Sequence, residues 1–462
     1  MKPSLPDYNT EDCIAALASP WGQSALAIIR ASGKGSLERL APAFSNARLL
    51  RAPGNTLLHG KLTDPAGGEI IDEVLTGVFR PGASYTGEEA FELYCHGSLA
   101  VIRRVLALLR SRGFRDAQPG EFTFRAFLNG RLDLTQAEAV GEIATSQTDK
   151  ARSLALRRLS GAVTREVNTA KAFLAEALAA VEIRLDYPEE ETPEEDPAAE
   201  DPRAPESLKD SSARAREILE RLLATYREGR LYREGSRVAL AGRINAGKSS
   251  LFNYLLKEER SIVSGHPGTT RDYIEGLISL EGIPVRLYDT AGLRDSGDPV
   301  EHEGVRRSRL LLESADLVLY LVDASGAITD EDKKNIAALA GRVLVAGNKI
   351  DLAKTCPPGV LAVSARTGEG VPALLEEMRK RLAPAGLVSA EQEAVIQSER
   401  QRDSLEKSLA ALRRFISRAD SHPLDILAED LREALSALGE ITGEVATEQM
   451  LRLMFSRFCV GK

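Results

Sequence analysis

Residues 236–249 read SRVALAGRINAGKS. After Ser236 and Arg237 the residues Val238–Ala241 are small and apolar in the manner of a buried strand, and the run breaks at Gly242 into G-x-x-x-x-G-K-S, followed by the helical SLFNYLL of 250–256. A strand, a glycine-rich turn and a helix in that order make a phosphate cradle. Glycine permits the left-handed turns that aim backbone N–H groups at an anion, a lysine reaches the outer phosphates, and a serine hydroxyl is a hard oxygen ligand for magnesium. Here those roles fall to Gly242 and Gly247, Lys248 and Ser249, with Asn245, Ala246 and Ser250 completing the loop.

Downstream motifs decide which nucleotide. GTTRD at 268–272 supplies Thr270, placed to complete the magnesium shell when a γ-phosphate is present. Asp289, Thr290, Ala291 and Gly292 (DTAG) follow the strand-like IPVRLYD; Asp289 can hold magnesium through water and Gly292 can donate to the γ-phosphate. NKID then places Asn348, Lys349 and Asp351 after a further strand. A carboxylate at Asp351 can accept two hydrogen bonds from guanine, a donor pair that adenine lacks. Ser364, Ala365 and Arg366 close the base pocket, and GTP is the expected ligand. Directly after DTAG stands Leu293, where many GTPases keep a glutamine that orients the attacking water. The acidic Asp295, Asp298, Glu301 and Glu303 nearby, taken alone, read more readily as a solvated loop.

Outward from this unit, strands SRVALAG, IPVRLYD, ADLVLYLVD, RVLVAGN and VLAVSA alternate with helices, predicting a doubly wound sheet over about 234–385. Residues 1–127 mix short strands such as SALAIIR and EVLTGVF with Gly/Pro turns and the helical LAVIRRVLALLRSRG, an α/β domain. From 128 to 233 the texture is alanine-rich and helical; TQAE at Thr135–Glu138 predicts a capping box that opens a long helix. Residues 386–462 are helical again, so two helical segments flank an inserted nucleotide domain.

Composition agrees with a soluble globular enzyme: 43% hydrophobic and 28% charged residues. The formal net charge of −8 does not exclude a nucleic-acid partner, because DYPEEETPEEDPAAED at 186–201 holds nine acidic residues and no basic one, which leaves the rest of the chain at about +1. The four cysteines, Cys13, Cys95, Cys356 and Cys459, are far apart and form no CxxC pair, arguing against structural zinc and disulfides. No apolar run approaches the ~18 residues of a membrane span, and the N-terminal segment has acids where a secretory signal wants bases. A reduced, cytoplasmic location without membrane association is the expectation.

The order of the nucleotide motifs, together with SYTGEEAFELYCHG, PGEFTFRAFLNGRLDLTQAEAV and the terminal FCVGK, resembles the MnmE (TrmE) family of tRNA-modification GTPases over nearly the whole chain. The resemblance implies an N-terminal folate-binding α/β domain that also forms a homodimer, a helical domain made from two segments, and an inserted P-loop GTPase domain. It implies work with a flavin (FAD) protein, MnmG, in a heterotetramer that adds an aminomethyl-type group, commonly carboxymethylaminomethyl, to carbon 5 of the wobble uridine of certain tRNAs. A reduced folate of the 5-formyl- or 5,10-methylene-tetrahydrofolate type is the implied one-carbon donor, with GTP hydrolysis driving domain motion.

It also implies that potassium compensates for the missing glutamine. Asn245 would be its side-chain ligand, with Ser264, His266 and Thr269 lining the same loop alongside Gly265, Pro267, Gly268 and Thr270, and Glu301 would position water. The His266 side chain reads as an ordinary surface imidazole. For folate, Arg30, Glu92, Arg131 and Lys462 match the family's contacts, although each alone reads as a surface charge or ion pair. Members often carry lysine at Arg131, so a planar fork replaces a point charge there, and Gly22-Gln23-Ser24-Ala25 departs from the usual Gly/Arg-rich turn. Cys459 is open between a nucleophile favoured by Arg457 and Lys462 and a small apolar anchor for the tail. A regulatory or ribosome-assembly GTPase and a folate-dependent one-carbon transferase are the competing classes.

Overall fold

The computed structural model describes residues 9–65, 67–186, 205–258, 274–289, 310–339, 341–353, 356–357, 359–383, 393–419 and 421–461. They fall into two compact units: residues up to Ala144 with Leu156–Glu220 and those from Asp403 onward, and Thr145–Ala155 with Arg221–Arg402.

In the first unit β1 (Cys13–Leu17), β2 (Leu26–Ser32), β3 (Thr56–Thr63), β4 (Ile70–Phe79), β5 (Ala90–His96) and β6 (Phe114–Asp116) form one sheet in the order β3-β4-β5-β2-β1-β6. Only β1 and β6 pair in parallel. After α1 (Ser36–Leu40), the helix α2 (Leu99–Ser111) covers this sheet. Its start is set by Ser98, whose hydroxyl accepts from the Val101 N–H. Ile102, Val105 and Leu109, on one helical stripe, are fully buried in a cluster with Ile29, Phe91 and Leu93.

The helical part of this unit departs from expectation at its first cap. After α3 (Glu121–Leu128), α4 spans Leu134–Thr145, twelve residues rather than a long helix. The residue before it, Asp133, makes the reciprocal pair with Gln136: the Gln136 N–H donates to Asp133 Oδ1 at 2.8 Å and the Asp133 N–H to Gln136 Oε1 at 2.9 Å. Thr135 and Glu138 are therefore not the capping pair; the Thr135 hydroxyl instead donates to Asp133 Oδ1 at 2.7 Å. A carboxylate is the stronger acceptor for backbone N–H groups at a helix start, where the helix dipole also favours negative charge. Next come α5 (Asp149–Leu159), of which only Leu156–Leu159 belong to this unit, and α6 (Ala162–Asp186), the latter packed along the helix Leu424–Thr442. Buried Ala170, Ala177, Ala434 and Ala437 keep both helix surfaces narrow. Most of the acidic stretch 186–201 lies outside the described residues.

The C-terminal helix Glu448–Phe455, capped by the Thr447 hydroxyl, packs on α3. Phe455 is fully buried between Phe124 and Phe127, and Leu134 and Phe458 join the same cluster. A side chain on Gly120 would strike the Phe455 carbonyl at 2.5 Å, so this seat requires glycine, which also carries φ 71° there.

In the second unit, α7 (Pro205–Ala224), only its last turn belonging here, and α8 (Tyr226–Glu234) lead into a sheet of β7 (Ser236–Gly242), β8 (Ile274–Leu280), β9 (Ile283–Asp289), β10 (Leu317–Asp323), β11 (Val343–Asn348) and β12 (Leu361–Ala362). The order is β12-β11-β10-β7-β9-β8, parallel throughout except β8 against β9. β10 is apolar on both faces and buried for six of its seven residues, as a central parallel strand must be. β8 is the one strand of this sheet that the sequence signals leave unread. Its hairpin turn uses Glu281 at φ 48° and Gly282 at φ 89°, and glutamate is not among the residues that advertise such a turn. Among the described residues no helix is long and apolar enough to cross a membrane.

Candidate functional site

The carboxyl ends of β7, β9, β10 and β11 meet at the start of α9 (Lys248–Glu258), where the loop 242–249 turns. Three positive φ values shape it: Gly242 at 129°, Asn245 at 68° and Gly247 at 89°. A Cβ on Gly242 would sit 2.1 Å from the Leu321 carbonyl of β10, and one on Gly247 2.1 Å from Asn348 Nδ2. Both glycines are required by contact as well as by conformation.

Lys248 is buried, and its ammonium donates to the Gly242 and Arg243 carbonyls at 2.7 and 2.9 Å, which folds the lysine across the loop. Burial lowers its pKa from the ordinary lysine value, with the Asp289 carboxylate opposing that shift. The Ser249 hydroxyl donates to Asp289 Oδ2 at 2.7 Å. A hydroxyl and a carboxylate side by side are the oxygen donors that suit magnesium, so the residues present fit the ion the motif calls for.

The base end is organised by Asn348, which is 2% exposed. Its amide donates to the Ala246 carbonyl at 2.9 Å and its Oδ1 accepts from the Ala365 N–H at 2.9 Å, so it ties the phosphate loop to the loop 364–366. Asp351 is aimed by the Ser364 hydroxyl, 2.7 Å from Oδ1, and faced by the exposed Arg366, 3.1 Å from Oδ2. Lys349, at φ 67°, pairs with Asp323 at 2.7 Å. Burial would raise the Asp323 pKa, but the hydrogen bonds from Lys349 and Ser325 prevail and hold it at about 2. Asp323, at the end of β10, belongs to the site although no motif flags it; being the last residue of a buried central strand is its one sequence signal. Ser264, Gly265, His266, Pro267, Gly268, Thr269, Thr270, Thr290, Ala291, Gly292 and Glu301 lie outside the described residues.

A second cluster forms in the first unit. Arg30 and Glu92 are register partners across β2 and β5, with Arg30 Nε and Nη2 at 2.9 and 2.8 Å from Glu92 Oε1. Arg30 Nη1 donates to the Gly461 carbonyl at 2.9 Å, and the Tyr94 hydroxyl donates to Glu92 Oε2 at 2.8 Å. The Arg30 guanidinium lies 6.0 Å from the Tyr85 ring centre and 5.7 Å from that of Phe122. A cavity of about 140 Å³ opens here, with Ser32, Thr86 and Phe91 also on its walls. Sequence reasoning misses Tyr85 and Phe122 as individual residues, although both sit inside the SYTGEE and GEFTF blocks.

Arg131 is exposed, its side-chain stem over Gly87, whose neighbour Thr86 lines the cavity. Gly461 is held at φ 92° against the Leu17 carbonyl, Phe458 packs on Gly141, and the Cys459 thiol is exposed. Lys462 lies outside the described residues.

Two models of known protein families match the chain. The model of the MnmE helical domain matches residues 134–459, and that of the GTP-binding protein TrmE N-terminus matches residues 13–131. The tRNA modification GTPase MnmE of Carboxydothermus hydrogenoformans is 41% identical over 98% of this chain and 100% of its own length. The protein of the same name from Treponema denticola is 41% identical and that from Geotalea uraniireducens 39% identical, each over 98% of this chain and 99% of its own. With a nucleotide cradle in one unit, an arginine–glutamate pair meeting the C-terminal tail in the other, and relatives this similar end to end, the chain belongs to the MnmE family of tRNA modification GTPases.

Proposed function

We propose that the protein is a potassium-stimulated GTPase that, with MnmG and a reduced folate, places an aminomethyl-type group on carbon 5 of the wobble uridine of certain tRNAs. The observation that carries this reading beyond GTP hydrolysis is the meeting of Arg30, Glu92 and Gly461 beside an aromatic cavity, a polar constellation that a plain GTPase does not need. A pterin presents N–H donors along one edge, which suit the Glu92 carboxylate, and a flat ring, which suits the walls formed by Tyr85 and Phe122. Arg131 and Lys462 would take the anionic tail of the folate. Folate, when bound, supplies the one-carbon unit; the residues here bind and orient it.

For hydrolysis, Asn245 would contribute the side-chain ligand for potassium with Ser264, His266 and Thr269 beside it, Ser249 and Thr270 would hold magnesium, and Glu301 would position water in place of the glutamine replaced by Leu293. Asn245 already holds the left-handed conformation that an asparagine tolerates. The homodimer is supported by Leu57 and Leu75, both exposed on the outer face of β3 and β4, and Leu57 lies on the edge strand of its sheet. Cys459, exposed on the tail that Gly461 anchors, is the thiol best placed for a chemical role. Nucleoside mass spectrometry of tRNA from cells with and without the chain tests the reading: the carbon-5 group should vanish without it, and unchanged wobble uridines would refute the assignment.

A further inference from the structure

At the end of the second unit's sheet away from the phosphate loop lies a polar cavity of about 490 Å³. Arg237 and Gly242 are the second and last residues of β7, which places the cavity about 17 Å from the loop by strand rise. Five arginines line it: Arg227 and Arg230 from α8, Arg237 from β7, Arg286 from β9 and Arg381 from the helix Val371–Leu382. Among the described residues Glu234 and Asp316 are the only carboxylates on the wall, and both are engaged. Glu234 pairs with Arg230 at 2.7 Å, and Asp316 Oδ2 accepts from the Arg237 backbone N–H at 2.8 Å. Arg381 is held by Glu377 and by the Val343 carbonyl.

Arg227, Arg237 and Arg286 make no ion pair or side-chain hydrogen bond among the described residues. Two of them are direct neighbours, because Arg237 and Arg286 are register partners across the parallel strands β7 and β9. Like charges side by side on one sheet face repel, a cost that an anion between them would reverse.

From this we infer that the cavity binds the phosphodiester backbone of RNA, which on the functional reading above is the tRNA itself. A guanidinium fork suits phosphate oxygens, and uncommitted arginines at three corners of one cavity can span successive phosphates. The lining favours a backbone over a free nucleotide: among the described residues its apolar side chains are Leu231 and Leu382, and none of them is an aromatic ring on which a base could stack.

The test uses the full chain, the double substitution Arg237→Gln/Arg286→Gln and fluorescently labelled tRNA, with binding followed by anisotropy across a series of KCl concentrations. Neither residue belongs to the nucleotide site, so GTP turnover should equal that of the unmodified protein, which also reports correct folding. Binding of tRNA should weaken ~10-fold at ~0.1 M salt, and the slope of log K against log salt should shrink by about 1 to 2, close to one unit for each phosphate left without its arginine. Arg237→Lys/Arg286→Lys should retain most of both. Coincident affinities and slopes for the glutamine variant and the unmodified protein overturn the inference. So does a calorimetric titration, with the nucleotide site filled by excess GDP, in which inorganic pyrophosphate binds the unmodified protein but not the variant while the tRNA curves coincide, since that reassigns the cavity to a small anion. In either case the functional reading stands as long as deletion of the chain still removes the wobble modification.

Discussion

Replacing Gly247 by alanine tests whether the phosphate loop and the base pocket are one mechanical object. The residue stands at φ 89°, and the added Cβ would lie 2.1 Å from Asn348 Nδ2. The left-handed conformation alone costs an alanine roughly 1–2 kcal/mol. The steric clash costs more, because Asn348 is 2% exposed and cannot retreat without giving up its bonds to the Ala246 carbonyl and the Ala365 N–H, both 2.9 Å. Leaving a buried polar partner unmatched costs about 1–3 kcal/mol. Strain and broken hydrogen bonds together come to roughly 2–5 kcal/mol; the free loop escapes that cost by relaxing and nucleotide binding must restore it, so at about 1.4 kcal/mol per tenfold the affinity for GDP or GTP should fall by roughly one and a half to three and a half orders of magnitude. Gly341→Ala is the control: its φ is 88°, but a Cβ there meets nothing within 4 Å. It should carry the conformational penalty in a melting curve and leave nucleotide affinity unchanged. Titration with a fluorescent guanine nucleotide reads both variants. If Gly247→Ala binds within about threefold of the unmodified protein, the coupling through Asn348 is refuted.

Hydrolysis of GTP should be faster in potassium than in sodium at equal ionic strength, and Asn245→Ala should abolish the difference; equal rates in both salts for the unmodified protein would remove potassium from the mechanism. Deleting residues 458–462 removes the Gly461 carbonyl that Arg30 bonds and the Phe458 ring packed on Gly141; tRNA modification should be lost with GTP turnover retained, and a modified tRNA pool in cells carrying only the truncated chain would detach the tail from function. The Asp323 carboxyl, with its pKa at about 2 against an ordinary 3.8, contributes stability above about pH 4 that fades as the pH falls towards 2. The melting temperatures of the unmodified protein and Asp323→Asn should therefore converge as the pH falls from 5 to 2.5, and a constant gap would contradict that pair's role. Burial raises the Cys95 thiol to about 11 whereas Cys459 is exposed, so a thiol reagent at neutral pH should label Cys459 in its fast phase. Cys459→Ser should lack that phase; its persistence would place another thiol at the surface.

Much of the nucleotide site is legible in the chain because its chemistry is local. G-x-x-x-x-G-K-S, DTAG and NKID each carry their donors within a few residues, and strand ends of a parallel sheet bring such loops to one edge whatever lies between them. Strand positions in that unit follow from apolar runs for the same reason, and β8 escapes because Glu281 and Gly282 form a turn whose first residue is atypical. The sequence pattern sets the helix start two positions too late, at Thr135 instead of Asp133, since both residues offer a capping oxygen and only the fold shows which one the backbone uses. Distance along the chain hides the remainder. Asn348 clasps Ala246 across 102 residues, and Arg30 reaches Gly461 across 431. The linear chain dictates which groups can bind phosphate, magnesium and guanine, because spacing along a loop sets those geometries. It takes the folded molecule to show that Asn348 serves the loops rather than solvent, that the chain's end seats against β1 and β2, and that Arg237 and Arg286 stand side by side, because those facts depend on packing and strand register between segments that no local pattern links.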